Sequence, residues 1–159
     1  MKMFNLKTKK KNNDIVAIAD GELIDVKTVS DPVFAEKMMG ESIAFKFTED
    51  KVILCSPATG VLTVLFPTAH AYGIKMNNGV EILIHIGVNT VESKGKGFTL
   101  LGKQQGDSIK AGEPVVEVDF KELRDMYDMS TILIITNANG QTIDFIEYGI
   151  VTHGQKIIK

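Results

Sequence analysis

Tryptophan is absent from this 159-residue chain and cysteine occurs once, as Cys55. A single thiol excludes an intramolecular disulfide framework and suits a reducing compartment, so Cys55 is expected to be a small buried hydrophobe. No apolar run approaches the roughly 18 residues of a membrane span, and the first residues lack the apolar segment of a secretory signal, so the expected location is cytoplasmic. Neither sign of charge dominates. Eighteen basic against twenty acidic side chains give a formal charge of −2, without the basic field that a nucleic-acid partner requires. The motifs of several chemistries are missing as well. There is no GxxxxGKS/T loop and no GxGxxG after a strand, so nucleotide binding has nothing to stand on. With three histidines in all and neither HxH nor HExxH, a zinc hydrolase lacks its ligand spacing. No serine sits in a GxSxG elbow.

What is present is a β texture. The length suits one domain that buries roughly 70% of its unfolded surface. Residues 1–14 are expected to be a basic flexible tail and 15–159 a single domain. The first thirteen residues carry five lysines and no acid. At most this tail makes peripheral membrane contact, each lysine adding about 1 kcal/mol near an anionic surface. From Ile15 onward, short apolar runs are broken by Gly, Asn and Asp, the spacing of an all-β domain. Strands are expected over 15–19, 23–26, 43–47, 52–54, 61–65, 72–76, 80–86, 115–119, 132–135, 143–146 and 156–158. Helical signals are few. Asp31-Pro32 before Val33 to Gly40 supplies an N-cap, a proline at the first helical position and a terminating glycine, enough for one or two turns. Asp119 with Glu122 resembles a capping box for a short helix with Phe120, Leu123 and Met126 or Tyr127 on one face.

A weak repeat at an offset of 39 places Gly21, Leu23, Gly40, Ile43, Phe45 and Phe47 on Gly60, Leu62, Gly79, Ile82, Ile84 and Ile86. Two copies of a hairpin-like unit packed against each other would make a sandwich of similar halves, with Lys46 at the position of His85.

The stretch from Gly79 to Val91 contains the chemistry. Strand alternation puts Val80, Ile82, Ile84 and Ile86 on one face and Glu81, Leu83, His85 and Gly87 on the other. The turn Asn77-Asn78-Gly79 is expected to fold this strand back, antiparallel, on the one containing His70 and Tyr72. A two-residue loop, whether Asn77-Asn78 or Asn78-Gly79, would put His70 on the face of His85, about 4.5–8 Å away between Cβ atoms. A three-residue loop would break that pairing. Lone histidines in apolar strands are often structural, but two converging ones invite chemistry. A neutral imidazole, with a reference pKa near 6.5, is a competent nucleophile towards phosphorus when one nitrogen is free and the other is held by a hydrogen bond. The Gly87 carbonyl could hold His85, and the Thr68 hydroxyl could hold His70. Phe34, Met38 and Met39 are candidates either for core or for a soft apolar docking rim.

The motif Gly79-x-x-Ile82-Leu83-Ile84-His85-Ile86-Gly87-Val88-x-Thr90-Val91 resembles the active-site signature of the glucose-type enzyme IIA (EIIA) domains of the bacterial phosphoenolpyruvate:sugar phosphotransferase system. The likeness extends through Pro67-Thr68-Ala69-His70-Ala71, the stretch from Asp31 to Gly40, and the turns at Gly106-Asp107 and Ala111-Gly112. It covers roughly residues 15–158. The resemblance implies an antiparallel β-sandwich, barrel-like and built on a duplicated hybrid motif, with a few short helical turns. It implies a phosphotransferase component with a phosphohistidine intermediate. His85 would take the phosphoryl group from the histidine-containing phosphocarrier HPr and pass it to a cysteine of a sugar-specific EIIB domain. His70 would support the phosphoryl oxygens, with Thr68 and Gly87 holding the two rings. Val33, Phe34, Met38, Met39, Phe66 and Leu83 would form an apolar collar, and Asp31 would meet basic residues of HPr. At Asn89 family members commonly carry Asp, so docking charge is reduced there. No cofactor and no intrinsic metal are implied. A zinc ion at His70 and His85 would be incidental or completed by a partner's carboxylate. The exposed docking face suggests a monomer. The rival readings are a regulatory binding module that docks metabolic enzymes or transporters, and a zinc hydrolase on a related duplicated β fold.

Overall fold

The computed structural model describes residues 12–159. The part of the expected tail at residues 1–11 lies outside them. Eleven strands form among the described residues. In chain order they are β1 (Gly21–Ile24), β2 (Glu41–Lys46), β3 (Lys51–Cys55), β4 (Gly60–Leu65), β5 (Ala71–Met76), β6 (Glu81–Ile86), β7 (Phe98–Leu100), β8 (Ser108–Ile109), β9 (Pro114–Asp119), β10 (Thr131–Asn137) and β11 (Gly149–Val151). An eight-stranded sheet runs β11-β1-β2-β10-β6-β5-β4-β8, and a second runs β3-β9-β7. All the pairings are antiparallel.

The two sheets share one core. Leu23, Phe45, Ile74, Ile82, Ile84 and Leu133 of the large sheet meet Leu54, Val116 and Val118 of the small one. β-branched residues dominate these inner faces because a pleated, half-buried surface suits them. The large sheet has a second apolar layer on its outer face. There Ala44, Ile132, Ile134 and Val88 lie beneath Val26, Val29 and Phe34, with Ile24 and Leu83 at the margin. The cover consists of a 3-10 turn, Val26–Thr28, and a short helix, α1 (Pro32–Ala35). Asp31 caps α1 as expected, its carboxylate accepting from Val33 N at 2.8 Å. The second helix, α2 (Phe120–Arg124), is capped by Asp119, which accepts from Glu122 N at 3.0 Å. Its buried face continues into Tyr127, whereas Met126 is 73% exposed.

The structure departs from expectation in three places. Residues 15–19, 143–146 and 156–158 form only isolated bridges, Val16 to Lys156 and Phe145 to Ile158. They are apolar for burial, but their amides are satisfied by loops, as when Val16 N donates to Pro57 O. The short strands β7, β8 and β11 sit at sheet edges; their partly exposed side chains carry little alternation. The offset-39 repeat does not describe the pairing. β1 joins β2 directly, but β5 stands between β4 and β6. β2 and β6 flank β10, and Ile132 faces Ala44 on one side and His85 on the other, so Ala44 rather than Lys46 shares the row of His85.

Candidate functional site

β6 alternates as its sequence dictates: Ile82, Ile84 and Ile86 are buried, while Glu81, Leu83 and His85 are half-buried on the other face. His85 therefore stands on the outer layer of the large sheet, with Ala71 of β5 and Ile132 of β10 directly across. The ring of Phe34 lies over it, centroids 4.9 Å apart.

The hairpin that leads to His70 has a three-residue loop. Lys75 pairs with Glu81, Ala71 pairs with His85, and Met76 N donates to Val80 O at 2.8 Å. Both two-residue registers are thus excluded, and this register places His70 across from Ile86, whose N donates to His70 O at 2.8 Å. By alternation alone the two imidazoles would point to opposite faces. They nevertheless meet, with ring centroids 5.4 Å apart and planes at 78°. The reason is that β5 begins only at Ala71, and Ala69, just before His70, is left-handed at φ 61°. His70 lies outside the pleat, so the turn rather than the ladder aims its ring.

Each ring is held by one nitrogen. His85 Nδ1 donates to Gly87 O at 2.8 Å. A carbonyl can only accept, so the proton resides on Nδ1 and the Nε2 lone pair is free. His70 Nδ1 lies 2.6 Å from Thr68 Oγ1, a hydroxyl that can either donate or accept. Phe66 stacks on His70, with centroids 5.1 Å apart and planes within 10°. Burial lowers the pKa of His70 below the ordinary imidazole value, and the neighbouring His85 lowers it further. Burial also lowers His85; the hydrogen bond to Gly87 and the nearby Asp31 charge act against this without reversing it. Both rings are therefore neutral at neutral pH.

Of the expected collar residues, Phe34 packs on the His85 ring and Phe66 on the His70 ring, and Val33, Met38, Met39 and Phe66 expose apolar surface, Met38 by 69%. Phe34 is buried and Leu83 half-buried beside the outer cluster. Asp31 is half-buried, and its carboxylate serves as the cap of α1. Asn89 is exposed and left-handed at φ 62°, and its side chain makes no cap bond. His153 lies elsewhere, its Nε2 donating to Gly112 O at 3.0 Å. Among the described residues no group of three or more His, Cys, Asp or Glu side chains is placed to hold a metal. Cys55 is buried as expected, and burial pushes its thiol up to about 11. No helix among the described residues is long and apolar enough to cross a membrane.

Sequence reasoning missed the supports behind Gly87. Gly87 N donates to Ser130 O at 3.0 Å and Val88 N to Asp128 O at 2.8 Å, and the Thr90 hydroxyl donates to Ile86 O. The acidic turn Asp128-Met129-Ser130 before β10 was the available signal, since Asp with a polar residue two places on is a common turn-former.

An antiparallel sandwich that brings two tethered imidazoles together, with Phe34 against one and Phe66 against the other, is the architecture met here, and its relatives are recognisable. The chain belongs to the family described as phosphoenolpyruvate-dependent sugar phosphotransferase system, EIIA 1, whose profile matches residues 13–141. A glucose-specific EIIA component from Staphylococcus epidermidis is 42% identical over 130 residues, 81% of this chain and 76% of that one. A glucose-specific EIICBA component from Staphylococcus carnosus is 40% identical over 145 residues, which are 91% of this chain and 21% of that larger protein. The chain thus spans about a fifth of the EIICBA relatives it matches. The glucose permease IIA from Mycoplasma capricolum superimposes with a TM-score of 0.85 at 35% identity, covering 94% of this chain and 96% of that one.

Proposed function

We propose that this chain is a cytoplasmic, monomeric phosphocarrier of sugar uptake, with His85 as the residue that is transiently phosphorylated. The observation that carries the reading is the Nδ1 bond of His85 to the Gly87 carbonyl, which leaves Nε2 as the free nucleophile. In the first step the Nε2 lone pair attacks the phosphorus of phospho-HPr. The new P–N bond forms as the donor's P–N bond breaks, and the donor imidazole keeps the electron pair. In the second step a thiolate of an EIIB domain attacks the same phosphorus. A P–S bond forms, and Nε2 recovers its lone pair with Nδ1–H still on the carbonyl. Such transfers need mainly position and charge stabilisation. If Thr68 donates to His70 Nδ1, the proton of His70 lies on Nε2 and can donate to a phosphoryl oxygen. Two neutral rings avoid repelling each other, and the negative group arrives where a donor is waiting.

Val33, Phe34, Met38, Met39, Phe66 and Leu83 would exclude water from the transferring group, and Asp31 and Asn89 would meet the partner's rim. The glucose assignment of the relatives makes glucose the first sugar to test. The exposure of Met38 and Phe66 also favours a second use of this face, as a docking surface for regulated enzymes or transporters whose binding changes with phosphorylation. Incubation with phosphoenolpyruvate, enzyme I and HPr, followed by mass spectrometry under mild alkaline conditions, should find one acid-labile phosphate on His85. Absence of that phosphate would overturn the carrier reading and the phosphorylation switch with it, leaving only a docking surface of fixed affinity.

A further inference from the structure

The Asp128 carboxylate lies behind the reacting face and uses both its oxygens. Oδ1 accepts from Ser130 N at 3.0 Å and from Ser130 Oγ at 2.7 Å. Oδ2 accepts from Ser30 N at 3.0 Å, across 98 residues of chain. The Ser130 side is an Asx turn that sets the backbone of 128–130. That backbone holds the Gly87 loop, since Ser130 O accepts from Gly87 N and Asp128 O from Val88 N. The Gly87 carbonyl in turn holds His85 Nδ1. The Ser30 side enters the segment in which Asp31 caps α1 and Phe34 covers the His85 ring. One carboxylate therefore ties together the two features that fix His85: the acceptor at its edge and the aromatic face above it.

We propose that Asp128 is a positioning residue of this site, holding the Gly87 carbonyl and the Phe34 ring in register so that His85 keeps its proton on Nδ1 and its lone pair on Nε2. The inference rests on the carrier reading for its effect on transfer, although the tautomer it fixes belongs to the unphosphorylated protein. The hydrogen bonds from Ser130 and Ser30 outweigh the upward push of burial and hold the Asp128 carboxyl below its ordinary value. It is therefore the charged form, with both oxygens accepting, that makes the tie at neutral pH. Neutral Ala removes both arms. Asn keeps the shape but replaces one acceptor with a donor, which would face either Ser30 N or Ser130 N, so one arm opens.

The test compares wild type, D128A and D128N, each shown to be folded by a cooperative melt well above the assay temperature. Two quantities are read: the His85 tautomer from imidazole 15N shifts, and the initial rate of phosphorylation by phospho-HPr. D128A should mix the tautomers and slow transfer by between about 10- and 100-fold, the loss expected when a reacting group is misplaced by an ångström or less. D128N should fall between it and wild type. If D128A does not fold, D128N carries the same judgement. A residue that only stabilises the fold would lower the melting temperature and leave both readouts alone. In a folded variant, either an unchanged tautomer or an unchanged rate overturns the assignment. If wild type itself takes no phosphate, the carrier reading fails, while the tautomer comparison still decides whether Asp128 positions His85.

Discussion

Replacing Gly87 with alanine tests the geometry on which the site depends. Gly87 has φ +75°, and a Cβ there would lie 2.6 Å from Thr90 Cγ2, 2.8 Å from Met129 Sδ and 3.3 Å from Asp128 O. Two costs add. The left-handed backbone costs an alanine about 1–2 kcal/mol, and forcing a methyl into an occupied space costs about 1–3 kcal/mol more. The total of roughly 2–5 kcal/mol corresponds to a melting point lower by about 4–20 °C in a chain of this length. The methyl also pushes on the very loop whose carbonyl holds His85 Nδ1, so phosphate uptake should fall by more than the unfolded fraction explains. A second substitution separates the two costs. Thr90→Ser keeps the hydroxyl that donates to Ile86 O and removes the methyl nearest the new Cβ, so the double variant should recover part of the packing loss and none of the backbone cost. Denaturant melts and transfer rates on the single and double variants supply the cycle. A Gly87→Ala protein with wild-type stability and wild-type transfer would refute this account of the loop.

His85→Ala should abolish phosphate uptake from phospho-HPr, measured as mass gain; labelling at the wild-type rate would sink the assignment. His70→Gln should still accept phosphate but fail to hand it on to EIIB, because an amide can donate to the phosphoryl oxygens yet cannot take up charge as the group leaves. Phe34→Ala should cost about 3–5 kcal/mol, as for other buried phenylalanines. It should also raise the His85 pKa, since burial is the main cause of its lowering; an NMR titration reads the shift, and no upward movement would contradict that cause. Both imidazoles have folded pKa values below the ordinary value, so the unfolded chain takes up protons first as pH falls. Their contribution to stability should be complete above about pH 6.5 and be lost as pH drops through the folded values. Melting curves from pH 8 to 5 check the sign, and His70→Gln should flatten part of the slope.

The residues that pack were legible because packing follows a period. β6 has its three isoleucines inward and His85 outward as alternation requires, and α1 and α2 begin at the aspartates that cap them. Segments where burial and pairing part company were not legible. Ile15 to Ala19 look like a strand because they are apolar, yet their amides go to loop carbonyls such as Pro57 O and Gln155 O. Nor could a local pattern reveal Asp128, whose partner Ser30 lies 98 residues away.

The histidine pair is the most instructive case, because a wrong step led to a right neighbourhood. Alternation across a two-residue turn brings His70 and His85 to one face. The actual loop has three residues, and the ladder it sets up would separate them. Their meeting at 5.4 Å is produced instead by ending β5 one residue short of His70 and turning the chain at Ala69, φ 61°. A strand residue would have its ring direction fixed by the pleat and shared with Tyr72 and Ile74, which face the core. Freed from the ladder, His70 takes its direction from Thr68 at Nδ1 and from Phe66 against its ring. The two imidazoles are thus held by different means, His85 by a strand and a glycine carbonyl, His70 by a turn and a hydroxyl. In the proposed carrier role, a rigid strand would suit His85, which would present one nitrogen to two successive partners. In the same reading, a turn would suit His70, whose ring would donate to the phosphoryl oxygens.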